Sequence, residues 1–161
     1  MKQLFAFTAT VILSLSSYAA PQEDALLKEL TGKDMSKLSD VDVYSEIVGA
    51  YQADDLTSVK SRLKILLKKH PASAYADNAL YLAGRLSLDK KNYAEALRYF
   101  ERVTREYPRS NKVVAAEFAK AIAYNRMNLP QQAKKVFQEV GKKFPGSPEA
   151  YRAQSELRLL R

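Results

Sequence analysis

Apolar residues return along much of this chain at intervals of roughly 3.6 residues, the period that gives an amphipathic helix one dry face. Val59, Leu63, Leu66 and Leu67 form one such stripe. Ala96, Phe100, Val103 and Tyr107 form a second, and Ala133, Phe137 and Val140 a third. The opposite sides are polar, with Lys60, Lys64 and Lys68 on the first helix and Arg98, Glu101 and Arg105 on the second. The pattern predicts an all-α protein.

The stripes repeat. Pro71-Ala72-Ser73, Pro108-Arg109-Ser110 and Pro145-Gly146-Ser147 follow one another at a 37-residue step. Ala96 maps to Ala133, Phe100 to Phe137, Val103 to Val140 and Tyr107 to Phe144 at the same step, and Ala79 maps to Ala116 and Ala153. One step back these positions fall on Val59, Leu63, Leu66 and His70, a degenerate first unit. Each unit reads as two helices. In the clearest, helix A runs from Ala74 to about Leu88 and helix B from Tyr93 to about Tyr107. A helix pair with a single apolar stripe cannot bury it alone, so neighbouring pairs must stack into a solenoid. Ala79, Ala83, Ala96, Ala116, Ala133 and Ala153 are expected where helices approach closely.

Local signals fix the ends. Asn92, with Glu95 three residues on, has the spacing of a capping box, and Asp55 holds the equivalent site one unit earlier. Pro130 suits the first position of a helix, where a missing N–H costs nothing. Ser147-Pro148-Glu149 opens a last helix with cap, proline and acid in order. The expected organisation is a leader over 1–19, a polar lead-in over 20–39, and a helical domain over 40–161. That domain divides into repeats at about 40–71, 74–108 and 111–145 and a capping helix over 148–161.

Residues 1–19 have the grammar of a cleavable secretory leader: Lys2, an apolar run from Leu4 to Leu15, then Ser17-Tyr18-Ala19 before the cut. The run is shorter than the ~20 residues of a comfortable bilayer span, so no integral span is expected after cleavage. Export to the periplasm follows for a Gram-negative source. The chain has no cysteine, which excludes disulfides, thiol chemistry, a cysteine zinc site and a cysteine-borne lipid at the processing point. Its net charge of +8 favours anionic partners in general. The cationic run Lys60, Arg62, Lys64, Lys68 and Lys69 spans more than one helix face, and with a leader in front no nucleic-acid partner is expected.

Gly84, Tyr93, Ala96, Phe100 and Pro108, and again Tyr124, Ala133, Phe137 and Pro145, resemble the consensus of the tetratricopeptide repeat (TPR). The 37-residue step is similar to the variant in periplasmic envelope proteins. Asp77 to Gly84, Tyr107 to Lys112, Lys120 and Phe144 to Ser147 resemble the C-terminal TPR domain of the Tol-Pal periplasmic protein, the cell-division coordinator. The likeness covers roughly residues 70–158. It implies partners among Tol-Pal or cell-wall-synthesis proteins. The trimerising coiled coil of that family is absent, since residues 20–69 hold no sustained heptad. The TPR lipoprotein of the outer-membrane β-barrel assembly machine has a similar repeat style.

Catalytic chemistry is not expected. His70 is the one histidine, and it stands where later repeats have Tyr107 and Phe144, which reads as packing. Asp54-Asp55 and Glu23-Asp24 are paired only by adjacency, and adjacent helical residues do not face each other. No glycine-rich phosphate loop or serine-nucleophile motif is present, and no cofactor or metal is implied. In a TPR stack the A helices line the concave face. The resemblance therefore implies a groove of Tyr44, Val48 and Tyr51, then Asn78, Tyr81, Arg85 and Asp89, then Phe118, Ile122 and Arg126, with Arg152 and Ser155 from the last helix. Tyr and Arg favour interface anchors, and the Asn78 amide could hold a peptide backbone. Tyr81 and Phe118 replace polar residues of the chaperone-type carboxylate clamp, which is therefore not expected. Two functions stay open: an envelope adaptor with one groove, and a structural or assembly subunit of an outer-membrane or envelope complex that self-associates through its open solenoid ends and lead-in segment.

Overall fold

The computed structural model describes Lys28 and residues 37–160. The expected leader, and the lead-in apart from Lys28 and Lys37–Ser39, lie outside the described residues. Within the unit Asp40–Arg161 the helices are α1 (Asp40–Gln52), α2 (Leu56–Lys69), α3 (Ala76–Asp89), α4 (Tyr93–Glu106), α5 (Val113–Arg126), α6 (Pro130–Lys143) and α7 (Pro148–Leu159). Each packs on the next, while α3 also packs on α1 and α7 on α5. This is the all-α hairpin solenoid that the repeat predicts. The first repeat, degenerate in sequence, still forms a hairpin of 13- and 14-residue helices.

Every repeat is closed by the same two devices. Between helix A and helix B a non-glycine residue takes a left-handed conformation: Asp54 (φ 58°), Lys91 (φ 64°) and Asn128 (φ 58°). The next N–H then reaches back into helix A, from Asp55 to the Ala50 carbonyl (3.0 Å), from Asn92 to Ser87 (2.8 Å) and from Leu129 to Tyr124 (3.0 Å). These bonds satisfy carbonyls that a helix end leaves open. Helix B ends on His70, Tyr107 or Phe144, with φ of −129°, −128° and −129°. The proline after each cannot continue the helix and pushes its predecessor out of helical space.

The Pro-x-Ser serine ties one hairpin to the next. Ser73 Oγ donates to Asp40 Oδ2 at 2.9 Å and accepts the Tyr75 N–H at 3.2 Å. Ser110 Oγ donates to Asp77 and accepts the Lys112 N–H at 2.9 Å. At the third junction Val114 stands where the aspartate would be. There Ser147 instead caps α7, accepting the Ala150 N–H at 3.1 Å.

The core is a row of stripes. Val59, Leu63 and Leu66, then Ala96, Phe100 and Val103, then Ala133, Phe137 and Val140 are buried, and so are all six alanines expected at close contacts. Ala121 joins Phe118, Ala133, Phe137, Val140 and Ala153 in the last cluster, where Leu157 and Leu160 also pack. Gln154 and Arg158 are exposed, giving α7 a largely polar outer side.

Two local expectations need correcting. Asn92 does sit at the head of α4, but its side chain accepts no capping bond. Glu95 pairs instead with Lys60 of the preceding hairpin at 2.7 Å, because stacking puts a cation within its reach. Helix α3 begins at Ala76 rather than Ala74, because the preceding residues form the junction turn, with Ala76 N–H on the Ser73 carbonyl at 3.3 Å.

Candidate functional site: the concave face of the A helices

A concavity of about 560 Å³ lies between α3, α5 and α7. The 3.6-residue period places Tyr81, Arg85, Leu88 and Asp89 on one side of α3, and Ala115, Phe118, Ala119, Ile122 and Arg126 on one side of α5. Glu149, Arg152 and Glu156 supply the α7 wall, and Lys91 reaches in from the α3–α4 turn. Of the residues expected in a groove, Tyr81, Arg85, Asp89, Phe118, Ile122, Arg126 and Arg152 meet here.

Its walls pair cations with rings. The Arg152 guanidinium lies 4.5 Å from the Phe118 ring centroid. Phe118 rests in turn on Phe137, with centroids 5.5 Å apart. Lys112 Nζ is 5.9 Å from the Tyr81 centroid, and Tyr81 packs on Phe100 at 5.9 Å. Tyr81 therefore both packs on the core and lines the concavity. Its hydroxyl, hydrogen-bonded to Arg85, pushes the guanidinium pKa further up, with Tyr51 and Asp89 adding smaller effects of the same sign. A cation held against aromatic faces at partly desolvated sites attracts acidic groups and also stacks on flat ones. Asp89, Glu149 and Glu156 put negative charge on the same rim, so the wall carries both signs of charge.

The remaining expected residues stand apart from this concavity. Tyr44 stacks on Tyr75 with centroids 4.8 Å apart and planes at 14°. Its hydroxyl accepts a hydrogen bond from Asn78 Nδ2. The Asn78 amide is thus engaged within the fold, across the α1–α3 contact. Burial pushes the Tyr44 hydroxyl pKa up, partly offset by the bond from Asn78. Val48 and Tyr51 are half-buried on α1, and Ser155 is exposed on α7. Sequence reading missed Glu149 and Glu156. Their spacing about Arg152, three and four residues away, was the available signal, because such residues share a helix face.

Among the described residues no group of three or more His, Asp or Glu is placed to hold a metal ion. No described helix is long and apolar enough to cross a membrane.

Among curated proteins none matches the chain. Among solved structures, the N-terminal domain of stress-induced protein-1 (STI-1) from C. elegans superposes with a TM-score of 0.62 at 16% identity, covering 78% of this chain and 98% of that one. That likeness, at so low an identity, speaks for the fold alone, a TPR-like solenoid. The family match falls to the outer membrane lipoproteins. It spans residues 36–161, the whole helical domain, and the chain belongs to the YfiO family of outer membrane lipoproteins.

Proposed function

We propose that this protein is a non-catalytic adaptor of the bacterial cell envelope that holds a segment of a partner protein in the concavity between α3, α5 and α7. The observation that carries the reading is the Arg152–Phe118 stack beside Arg85 and Arg126. An apolar floor with cations above it anchors a segment that carries both acidic and apolar side chains. Arginine over an aromatic ring is also the side-chain chemistry that concentrates binding energy in interfaces. The family, described as outer membrane lipoproteins, supports the envelope as the place of work. Export through the 1–19 leader would put the domain in the periplasm, and partners would come from Tol-Pal or cell-wall-synthesis components.

The test is crosslinking in cells followed by pull-down, with wild type beside Arg85→Ala/Arg126→Ala and Tyr81→Ala/Arg85→Ala. Loss of one discrete set of envelope proteins from both variants, at unchanged helix content, supports the groove. The same proteins recovered by all three versions would remove it.

Self-association is a second reading, favoured by Tyr151 and Leu159, which are 63% and 79% exposed on α7, the last helix of the stack. Sedimentation of Tyr151→Ser/Leu159→Ser separates the two. Wild-type dimers that these changes dissolve would support assembly through α7.

A further inference from the structure

We infer that the outward face of the B helices is an adsorption surface for the anionic phospholipid headgroups of a bilayer, separate from the groove. The charges of the first hairpin are sorted by helix. Helix α1 carries Asp40, Asp42 and Glu46 and no base, whereas α2 carries Lys60, Arg62, Lys64, Lys68 and Lys69 and no acid. On the B helices the cations keep the repeat register. Lys68, Arg105 and Lys142 occupy one position in three successive hairpins, and Arg98 and Lys135 another, two turns before. All five are exposed. A 37-residue repeat that keeps a cation at one register turns it to the same side of every hairpin, so the charges form rows across the stack.

The local acids leave most of the charge on α2 and α6 in place, whereas α4 carries as many acids as bases. Glu106 is shared by Arg102 and Arg105, at 3.0 Å from each, and Glu139 is held by Lys143 at 3.1 Å. Lys68, Lys135 and Lys142 add to these. Glu101 is the exposed acid between the Arg98 and Arg105 positions.

What the face lacks decides the class of partner. The exposed large apolar residues among those described are Val41, Met127, Tyr151 and Leu159, and none of them lies on a B helix. A protein partner would be expected to find aromatic or aliphatic anchors at the centre of its interface. A bilayer surface needs none, because basic residues near anionic headgroups bind by charge alone and are screened by salt. The family, described as outer membrane lipoproteins, supplies a membrane as the anionic surface at hand.

The experiment is co-sedimentation of the full chain with vesicles of phosphatidylcholine alone and of phosphatidylcholine with phosphatidylglycerol, at low and high salt. The neutral vesicles measure whatever the apolar run near the N-terminus contributes. Each cation near an anionic surface is worth roughly fivefold in binding, so Lys68→Gln/Arg105→Gln/Lys142→Gln should lose on the order of 100-fold on the anionic vesicles. Arg85→Ala/Arg126→Ala, which removes charge from the concave face, should bind them as wild type does. Circular dichroism confirms that both variants are folded. Equal losses in the two variants, or wild-type binding that ignores phosphatidylglycerol or salt, would overturn the inference. Binding to double-stranded DNA as tight as to anionic vesicles would overturn the lipid as occupant. Because the two variants sit on opposite faces, failure here and failure of the groove reading give different patterns.

Discussion

A Cβ atom placed on Gly84 would lie 2.6 Å from Cε1 of Phe100. Helix A and helix B of the second repeat touch there with no room for a methyl group. Phe100 is fully buried, with Tyr81 packed on its ring, so the ring has nowhere free to move. One repeat later Ala121 occupies the Gly84 position and packs in one cluster with Phe137, so the architecture accepts a methyl where the helices are set for it. Gly84→Ala should therefore destabilise the domain by about 1–3 kcal/mol, overpacking outweighing the helix propensity gained. Denaturant unfolding reads the loss. Adding Phe100→Leu should cost less in the Gly84→Ala background than alone, and additive losses would show that the two residues are not coupled.

Lys91 holds a left-handed conformation that suits Asp54 and Asn128 better at the equivalent positions. An L-residue with a long side chain gives up about 1–2 kcal/mol there relative to glycine, and Asn or Asp gives up less. Lys91→Asn and Lys91→Gly should raise stability by about 0.5–1 kcal/mol, net of the greater freedom of glycine when unfolded. Asn128→Val should lower it by more than that, since a β-branched residue fits this region worst. Thermal melts of the three variants check the order. A drop for Lys91→Gly would mean that the turn is not under strain.

The serines of the three Pro-x-Ser triplets do different work. Ser110 joins Asp77 of one hairpin to the Lys112 N–H of the next, whereas Ser147 caps its own helix. Ser110→Ala should cost about 2 kcal/mol, because it leaves a half-buried carboxylate and a backbone N–H each short of a partner. Ser147→Ala should cost about 1 kcal/mol, the ordinary loss of an N-cap. Asp77→Ala should add little in the Ser110→Ala background, and a double-mutant cycle measures that coupling.

Asp55 caps α2, accepting the Ser58 N–H at 3.0 Å. The Ser58 side chain first, and then this N–H, hold the carboxyl below the usual aspartate range, with Arg62 a smaller influence of the same sign. The folded state thus favours the ionised form. Its contribution is present above the ordinary aspartate pKa of about 4 and is lost as the pH falls through the lower folded value. Asp55→Asn should keep the cap at neutral pH and flatten the acid limb of the stability curve. Asp55→Ala should cost about 1 kcal/mol at neutral pH. Melting temperature against pH tests both. An unchanged acid slope in Asp55→Asn would assign the acid loss to other carboxylates.

The chain by itself determined where its helices lie, which sides are dry, and that they repeat. Apolar spacing, proline after each B helix and alanine at the contacts are local facts, and they act through local geometry and burial. Asp55 and Ser147 could be recognised as caps for the same reason, since each bonds a backbone group three residues away. The tertiary structure decided every relationship that crosses between hairpins. Asp40 with Ser73 and Asp77 with Ser110 lie 33 residues apart, and neither spacing has meaning until two hairpins are stacked. Glu95 had the spacing of a capping residue but found Lys60 instead. Asn78, placed in the groove by its register, is engaged with the Tyr44 hydroxyl. The groove shows the division most clearly. The repeat put Tyr44, Tyr81 and Phe118 at one register, yet Tyr44 lies against Tyr75 while Tyr81 and Phe118 share a concavity with Arg152. Sequence spacing fixes the side of a helix on which a residue lies. Which residues from different helices meet there depends on how each hairpin packs against the next, and that is settled by the volumes of the side chains between them.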